Sequence, residues 1–387
     1  MSLEILGIGT ATPPWQIAQG DAARLAAGFA RPEAGRERAL AAIYRQTRIR
    51  SRGSVLLDDP GPEPYAQTFF PPAAETDAGG PSTAARMKRY AVEAGRLAAD
   101  GVRTALERSG IAATSVTHLV TCSCTGFANP GVDLELVATL GMPADVSRTH
   151  VGFMGCHGAF NAIRVAAAFA EAEPDAVVLV VCVELCSLHF QYGSRSDLLV
   201  ANSIFADGAA AIVGIGANHP RAAGQHTWRL ARQWSQILPD SADDMGWTIG
   251  DHGFEMNLSA RVPGIIGGEI PGLVARSLAT QGLARADVGA WAVHPGGPRV
   301  LANVQEALGL DASALAASQA VLGDHGNMSS ATILFILERL LRDDTPAPCL
   351  AMAFGPGLTA ELALFSRGGT TGTREPPHPS SSESHRR

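Results

Sequence analysis

The longest apolar run of the chain, residues 176–186 (AVVLVVCVELC), constrains the fold more than any other segment. It is too short to span a bilayer and carries Glu184, so it predicts a strand buried on both faces inside a sheet. Similar runs alternate with alanine-rich stretches, an order typical of an α/β protein with a parallel or mixed sheet and packed helices. The predicted strands are Leu3–Gly9, Val116–Thr125, Ala176–Leu185, Ala209–Gly216, Ala290–His294 and Leu350–Phe354, and the predicted helices are Tyr90–Ser109, Gly158–Ala172, Val262–Gln281 and Ser329–Arg342.

Composition narrows the class of protein. With 387 residues, 46% of them hydrophobic, the chain can bury one large core or two fused halves. A net charge of −7 without a long basic run argues against nucleic acid as a partner. The first residues, MSLEILGIGTATPP, do not read as a signal peptide, and no run is long enough for a membrane span, so we expect a cytoplasmic protein without membrane contact. The six cysteines show no C-x-x-C spacing, and we expect neither disulfides nor a metal.

Changes in composition predict two halves and a tail. The composition changes near residues 219–224, which divides the chain into an N-terminal half, residues 1–220, and a C-terminal half, residues 221–366. Residues 367–387 contain almost no apolar side chain, which predicts a disordered tail. Residues 58–80 are rich in proline, glycine and acid, and we interpret them as an ordered surface excursion or a mobile loop.

One cysteine lies between glycines at the predicted start of a helix. Residues 151–158 read VGFMGCHG and join the end of a predicted strand to the helix Gly158–Ala172. Helix N-termini favour negative charge, so this position is expected to lower the pKa of the Cys156 thiol and make it a nucleophile. The alternative is an inert cysteine, because free cysteines are among the most buried residues.

Two other polar residues lie at the ends of predicted elements. His294 ends the apolar part of WAVHPGGP, and Asn327 lies in GDHGNMSS, just before an apolar helix. A cysteine nucleophile, a histidine base and an asparagine amide that holds an oxyanion form a consistent set for acyl transfer. Taken singly, His294 is as well explained as a core histidine and Asn327 as a helix cap. The three residues together favour a catalytic site.

Seven blocks of sequence, in order between residues 3 and 365, resemble one enzyme family. They are VTHLVTCSCTGFANPGVDLELVATLGM, VGFMGCHGAF, VVCVELCSLHFQ, IFADGAAAIV, VHPGGPRVL, GDHGNMSSATILFIL and FGPGLTAELAL. The chain thereby resembles the type III polyketide synthases, the chalcone synthase-like enzymes, in a bacterial form. The resemblance implies a thiolase fold, with two similar α/β halves in a five-layer αβαβα arrangement, and a homodimer. Cys156, His294 and Asn327 occupy the positions of the family's catalytic residues.

The resemblance also implies the reaction. A thiolate–imidazolium pair of Cys156 and His294 takes an acyl starter from an acyl-CoA thioester. Malonyl-CoA is then decarboxylated while His294 and Asn327 hold its thioester oxygen, and the enolate extends the chain by Claisen condensation before cyclisation or release. Coenzyme A (CoA) thioesters are substrates in this scheme, and no cofactor or metal is expected.

Pocket and CoA residues follow from the same resemblance. Met256 stands where the family has a gatekeeper phenylalanine, and Phe254, two residues earlier, is expected to face the same side of a strand. Arg48 and Arg52, in the basic segment YRQTRIRSR, are the candidates for binding the phosphates of CoA, although this patch would also suit an acyl carrier protein. The residues assigned to the substrate pocket are Phe205, Met256, Phe254, Cys124, Thr125, Cys186, His189 and Ser329.

Three other functions were weighed. A condensing enzyme like the ketoacyl carrier-protein synthases would share the three catalytic residues and use carrier-bound substrates, but FANPGVDLEL, GNMSSA and FGPGLT favour the polyketide group. A cysteine hydrolase needs G-x-C-x-G, and Met154 occupies the first glycine position. An inactive subunit that only binds acyl chains would not need all three residues. The starter, the number of extensions and the mode of release are not fixed by the sequence.

Overall fold

The computed structural model describes residues 3–29, 36–73, 79–193, 195–222 and 227–367. The predicted tail, residues 367–387, lies outside the described residues except for Arg367, which ends a strand. Residues 74–78 of the predicted excursion and residues 223–226 near the predicted boundary also lie outside them. In the described part of the excursion, the buried Phe70 packs against Phe29 and Tyr192. This part of the excursion is therefore attached to the core.

The strands occur along the whole described chain. Nine of them form one sheet, and β2–β3 and β9–β10 are separate antiparallel pairs. The strands are β1 (Glu4–Ala11), β2 (Gln16–Ala18), β3 (Ser51–Gly53), β4 (His118–Ser123), β5 (Ser147–Gly152), β6 (Val177–Leu185), β7 (Asp207–Ile215), β8 (Trp228–Ile237), β9 (Met245–Gly250), β10 (Gly253–Leu258), β11 (Ala290–Val293), β12 (Cys349–Gly355) and β13 (Thr359–Arg367).

The α-helices of the described residues lie between some of these strands along the chain. They are α1 (Gln19–Ala27), α2 (Arg36–Gln46), α3 (Thr83–Ser109), α4 (Val132–Leu140), α5 (Gly158–Ala172), α6 (Ser196–Ile204), α7 (Val262–Ala279), α8 (Pro298–Leu308), α9 (Ala316–His325) and α10 (Thr332–Arg342). Among them, no helix is both long and apolar enough to cross a membrane.

The large sheet repeats one topology on either side of its centre. Its order is β11-β12-β13-β8-β1-β7-β6-β4-β5, and β1 meets β8 at the centre. From β1 outward, β1 pairs with β7 in antiparallel fashion, β7 with β6 in antiparallel fashion, and β6 with β4 in parallel fashion. From β8 outward, β8 pairs with β13 in antiparallel fashion, β13 with β12 in antiparallel fashion, and β12 with β11 in parallel fashion. The chain therefore contains two similar halves.

Three hydrophobic clusters place the helices in layers. The first contains α5 and α10 between the inner faces of both halves. The second joins α3 and α4 to the outer face of the N-terminal half, and the third joins α7 and α8 to that of the C-terminal half. The alanines and the single glycine of α5 (GAFNAIRVAAAFAEA) let this helix lie close to the strands that cover it. The resulting order is the αβαβα arrangement that the resemblance implies.

Candidate active site

Cys156 lies in a short helical turn, residues 155–157, that leads directly into α5. The preceding Gly155 has φ +73°, and a Cβ on it would lie 2.2 Å from Cδ of Pro356. A larger residue could therefore not occupy this turn without displacing the residue 355–357 turn that packs on it. The local sequence thus places the Cys156 thiol at the N-terminal end of a buried helix.

Asn327 is held by a parallel bridge to the segment after α6. Its backbone N–H donates to the Ile204 carbonyl (2.9 Å), and its carbonyl accepts from the Ala206 N–H (2.9 Å). The side-chain Oδ1 accepts from the N–H of Ser329 (2.8 Å). With its oxygen engaged in this way, the amide keeps its Nδ2 donors for another group. The Cys156 thiol lies within hydrogen-bonding reach of this amide and of the Ser329 hydroxyl.

His294 follows β11 and is fixed by its backbone, because its N–H donates to the Met352 carbonyl (2.9 Å). The residue is 1% exposed. Neither ring nitrogen has a hydrogen-bond partner among the described residues. A buried imidazole with both nitrogens unengaged is unusual, because burying a polar group without a partner costs free energy. This state suits a histidine whose partner is a substrate.

Burial moves the pKa values of the two groups apart. It raises the pKa of the Cys156 thiol to about 11, against the opposing effect of the hydrogen bonds from Ser329 and Asn327. It lowers the pKa of the His294 imidazole to about 3, with a smaller contribution from the charge of His157. The expectation of a lowered thiol pKa is therefore wrong for the substrate-free protein, because desolvation outweighs the helix N-terminus. The protein rests as a neutral thiol and a neutral imidazole.

A cavity opens onto Cys156. Six of the eight predicted pocket residues line it together with the thiol, namely Cys124, Thr125, Cys186, Phe205, Met256 and Ser329. The sequence analysis missed Trp247, Met245 and Pro356 in the same wall. Trp247 pairs with Met256 across the β9–β10 hairpin, and its Nε1–H donates to the Cys124 carbonyl (2.8 Å). The turn between β9 and β10, residues 250–253 (GDHG), is the signal from which a hairpin, and with it Trp247, could have been predicted.

The other two predicted pocket residues, Phe254 and His189, line a neighbouring cavity instead. Their rings stack with centroids 4.1 Å apart. His189 donates from Nε2 to the Thr125 carbonyl (2.7 Å) and accepts at Nδ1 from the Phe254 N–H (2.9 Å). Burial lowers the pKa of His189 to about 3, so the imidazole is neutral. It links the residues after β4 to the β9–β10 hairpin through its two hydrogen bonds.

Glu184 is a buried acidic residue that accepts hydrogen bonds from residues lining the Cys156 cavity. Its carboxylate accepts from the Cys124 N–H (3.0 Å), the Thr125 hydroxyl (2.8 Å) and the Ser330 hydroxyl. The Cys124 thiol also donates to it (3.2 Å). Burial nevertheless raises the pKa of Glu184, and its charge in turn raises the pKa of the Cys156 thiol. Glu184 therefore connects the elements that surround Cys156.

Arg52 does not lie at the protein surface, and its assignment to CoA binding is wrong. Its side chain is buried, and Nη1 donates to the carbonyls of Asn202 (2.8 Å) and Phe205 (2.7 Å). The guanidinium lies 5.5 Å from the ring centre of Tyr44. Arg52 thus caps the C-terminal end of α6, whose last carbonyls need donors. Arg48 is exposed, with φ +58°, and remains a candidate.

Two family models cover most of the chain. Residues 3–219 match the N-terminal domain of chalcone and stilbene synthases, and residues 229–367 match the C-terminal domain. The chain belongs to the chalcone and stilbene synthase family. It is a type III polyketide synthase, an acyl-condensing transferase, and this family uses CoA thioesters as substrates.

Curated and solved relatives agree with the family. The chain is 34% identical over 93% of its length to the alpha-pyrone synthesis polyketide synthase-like protein Pks18 of Mycobacterium tuberculosis, covering 90% of that protein. It is equally identical, over 93% of its length and 92% of the relative, to 1,3,6,8-tetrahydroxynaphthalene synthase of Streptomyces peucetius. The structure of PKS-I from the brown alga Ectocarpus siliculosus superimposes with a TM-score of 0.88 at 30% identity, covering 95% of this chain and 98% of the other. The predicted family and thiolase fold are confirmed.

Proposed function

We propose that this chalcone and stilbene synthase relative loads an acyl starter from acyl-CoA onto Cys156 and extends it with malonyl-CoA. The observation that carries this proposal is the position of the Cys156 thiol. It lies at the N-terminal end of α5, in the wall of a cavity, within reach of the Asn327 amide and the Ser329 hydroxyl. This geometry offers a nucleophile and an oxyanion donor to the same carbonyl group.

In the loading step, the Cys156 sulfur attacks the thioester carbonyl and the bond to the CoA sulfur breaks. His294 takes the thiol proton and returns it to the departing CoA thiolate. An isolated Cys156 thiolate or His294 imidazolium would be unfavourable in free energy at these buried positions. A proton passed from Cys156 to His294 creates both charges together, and their mutual attraction offsets part of that cost.

In the extension step, malonyl-CoA loses its carboxylate as CO₂, and the bonding electron pair moves into an enolate of the acetyl thioester. The developing negative charge lies on the thioester oxygen, where the Asn327 amide and the His294 imidazole donate hydrogen bonds. The enolate carbon then attacks the acyl carbonyl on Cys156, and the cysteine sulfur leaves. Transfer of the longer chain back to Cys156 allows another round, until cyclisation or release ends the sequence.

A basic groove is proposed to hold the CoA phosphates. It runs between α1 and α2, and the arginines that line it are Arg24, Arg38, Arg45 and Arg50. Arg24 pairs with Asp21, and Arg50 pairs with Asp324. Arg45, which lines the groove, and Arg48, three residues later, have exposed side chains. Guanidinium groups suit phosphate because they present several donors in one plane.

A homodimer in the cytoplasm is the proposed working form. Exposed apolar side chains gather near the nucleophile, since Phe127 is 43% and Met154 36% exposed. Phe127 also touches Phe153 and Phe254, with ring centres 5.8 Å and 6.2 Å away. Such apolar surface is typical of an interface. A solution mass of two chains would support this assembly, and a mass of one chain across the working concentration range would contradict it.

Separate assays of the two half-reactions test the catalytic roles. We expect Asn327→Ala to slow malonyl-CoA decarboxylation about 10²- to 10³-fold, because an oxyanion donor acts where charge develops. Loading of Cys156 from acyl-CoA should fall less. Asn303→Ala, a half-buried residue on α8, is the matched control and should change neither rate. Equal losses in both half-reactions of Asn327→Ala would contradict the assigned role.

A further inference from the structure

The residue after Cys156 carries a second buried imidazole, which none of the proposed steps uses. His157 is 2% exposed and ends the helical turn of residues 155–157. Its ring packs on Gly355, the last residue of β12, since a Cβ on Gly355 would lie 2.2 Å from Cδ2 and 2.7 Å from Nε2 of His157. Only a glycine at position 355 leaves room for the ring, which is thereby held in the protein interior.

Strand β12 brings this ring into electrostatic range of His294. The Met352 carbonyl, which fixes the backbone of His294, lies three residues before Gly355 on the same strand. Three residues of a strand span about 10 Å. Water and salt screen charges less in the interior than at the surface. A proton on His157 therefore acts on His294, whose pKa is lowered by burial and further by the charge of His157.

The Asn161 amide can accommodate His157 with or without a proton on Nδ1. In one orientation, its Oδ1 lies 2.9 Å from His157 Nδ1, and its Nδ2 donates to Oε1 of Glu361 (3.4 Å). In the other, Nδ2 donates to His157 Nδ1 (2.9 Å), and Oδ1 accepts from Nη1 of Arg164 (3.2 Å). The first orientation suits a protonated Nδ1 and the second an unprotonated one. A turn of one amide thus satisfies both states of the imidazole.

A buried carboxylate makes His157 the first of the two imidazoles to take a proton. Glu361 is 2% exposed, lies on β13 and pairs with Arg164 of α5. Burial lowers the pKa of His157, but the Asn161 amide and the Glu361 carboxylate oppose this shift. The charge of Arg164 adds a smaller lowering effect. Burial lowers the pKa of His294 to about 3, with no hydrogen bond at either ring nitrogen among the described residues. As the pH falls, His157 therefore takes a proton before His294.

We propose that His157 is a positioning residue whose protonation weakens His294 as the base for Cys156. The inference rests on the proposed role of His294 as the acceptor of the thiol proton. While His157 is neutral, His294 can take that proton. Once His157 is charged, a second positive charge on His294 is disfavoured, and proton transfer from the thiol slows. The proton on His157 comes from solvent and returns to it, and the adjoining Cys156 thiol is neutral in the resting protein.

The pH dependence of Cys156 reactivity tests this inference without any acyl-CoA. Alkylation of Cys156 by iodoacetamide, located by peptide mapping, is followed between pH 4 and pH 8. In the wild type we expect a step of about threefold to a slower rate as the pH falls, with its midpoint below the ordinary pKa of histidine. His157→Gln and His157→Phe, each scaled to its own rate at pH 8, should show no step. A flat wild-type profile, or the same step in a His157 variant that circular dichroism shows to be folded, would overturn the inference.

Glu361→Gln tests the same contacts from their far end. Loss of the carboxylate removes a group that favours the proton on His157, so the step should move to lower pH by about half a pH unit or more. Glu4→Gln is the matched control, since Glu4 is equally buried, pairs with the partly exposed Arg229 and lies on β1, which carries none of the proposed site residues. It should leave the midpoint unchanged. A midpoint that moves equally in both variants, or in neither, would overturn the inference.

Loading from acyl-CoA, followed by intact mass over the same pH range, separates this inference from the proposed function. The loading rate should show the same step as alkylation. A step in alkylation that the His157 variants lack, without any acyl adduct on Cys156, would support the control by His157 and refute the loading step. Acyl loading at a rate that stays flat across the range would support the loading step and overturn the control by His157.

Discussion

Cys156 and His294 show opposite effects of the same burial. The thiol pKa rises to about 11 and the imidazole pKa falls to about 3, since both groups are more stable without charge. The sequence singled out both residues as catalytic candidates through their positions at element ends. It did not give these pKa values, because desolvation depends on how many other elements cover a side chain.

Removal of His294 should change how the reactivity of Cys156 depends on pH. In His294→Gln the thiol has no proton acceptor, so alkylation by iodoacetamide should rise about tenfold per pH unit up to pH 10, below the thiol pKa of about 11. With His294 present, the imidazole can accept the thiol proton as the sulfur attacks, so the wild type should react faster than His294→Gln at pH 7. Cys349→Ala, in the core strand β12, controls for labelling at another cysteine and should match the wild type. Identical pH profiles for His294→Gln and the wild type would show that His294 does not accept the thiol proton.

The segment YRQTRIRSR shows what a local pattern can and cannot predict at the scale of an element. Its arginines look alike in sequence, but Arg48 is exposed whereas Arg52 is buried under α6. Strand β3 carries Arg52 inward, and the carbonyls it caps belong to residues about 150 positions away. A contact at that separation leaves no trace in the local sequence.

Other elements also differ in whether the local sequence predicts them. The predicted helix Gly158–Ala172 has the observed bounds of α5, and the observed β6 (Val177–Leu185) begins one residue after the predicted strand start. Strands β8, β9, β10 and β13 were not predicted, because they alternate polar and apolar residues or carry buried charge such as Glu361. Long apolar or alanine-rich runs were predicted well, and half-exposed strands were not.

The exposed arginines of the segment YRQTRIRSR should affect CoA binding only. We expect Arg45→Ala and Arg48→Ala each to raise KM for acyl-CoA severalfold with kcat unchanged, because they would contact phosphates remote from the reacting carbonyl. The matching pantetheine thioester lacks the nucleotide phosphates and should show no change. Arg103→Ala, exposed on α3, is the control. A fall in kcat with the pantetheine substrate would place Arg45 or Arg48 in a different role.

At the scale of the whole molecule, both halves supply residues of the proposed site. The first half supplies Cys156 before α5, and the second supplies His294 after β11 and Asn327 before α10. The sequence predicted an α/β protein, and its resemblance to a family supplied the thiolase fold. Periodicity alone could not supply it, because the central pairing of β1 with β8 joins residues more than 200 positions apart.

The most direct test of this account is the mass of the intact enzyme after mixing with acyl-CoA, followed by a chase with malonyl-CoA. The account predicts one acyl adduct in the wild type, located on Cys156 by peptide mapping, which disappears on the chase as an extended product forms. Cys156→Ala should form no adduct while remaining folded. An adduct that persists in Cys156→Ala, or one in the wild type that the chase leaves unchanged, would contradict the central claim.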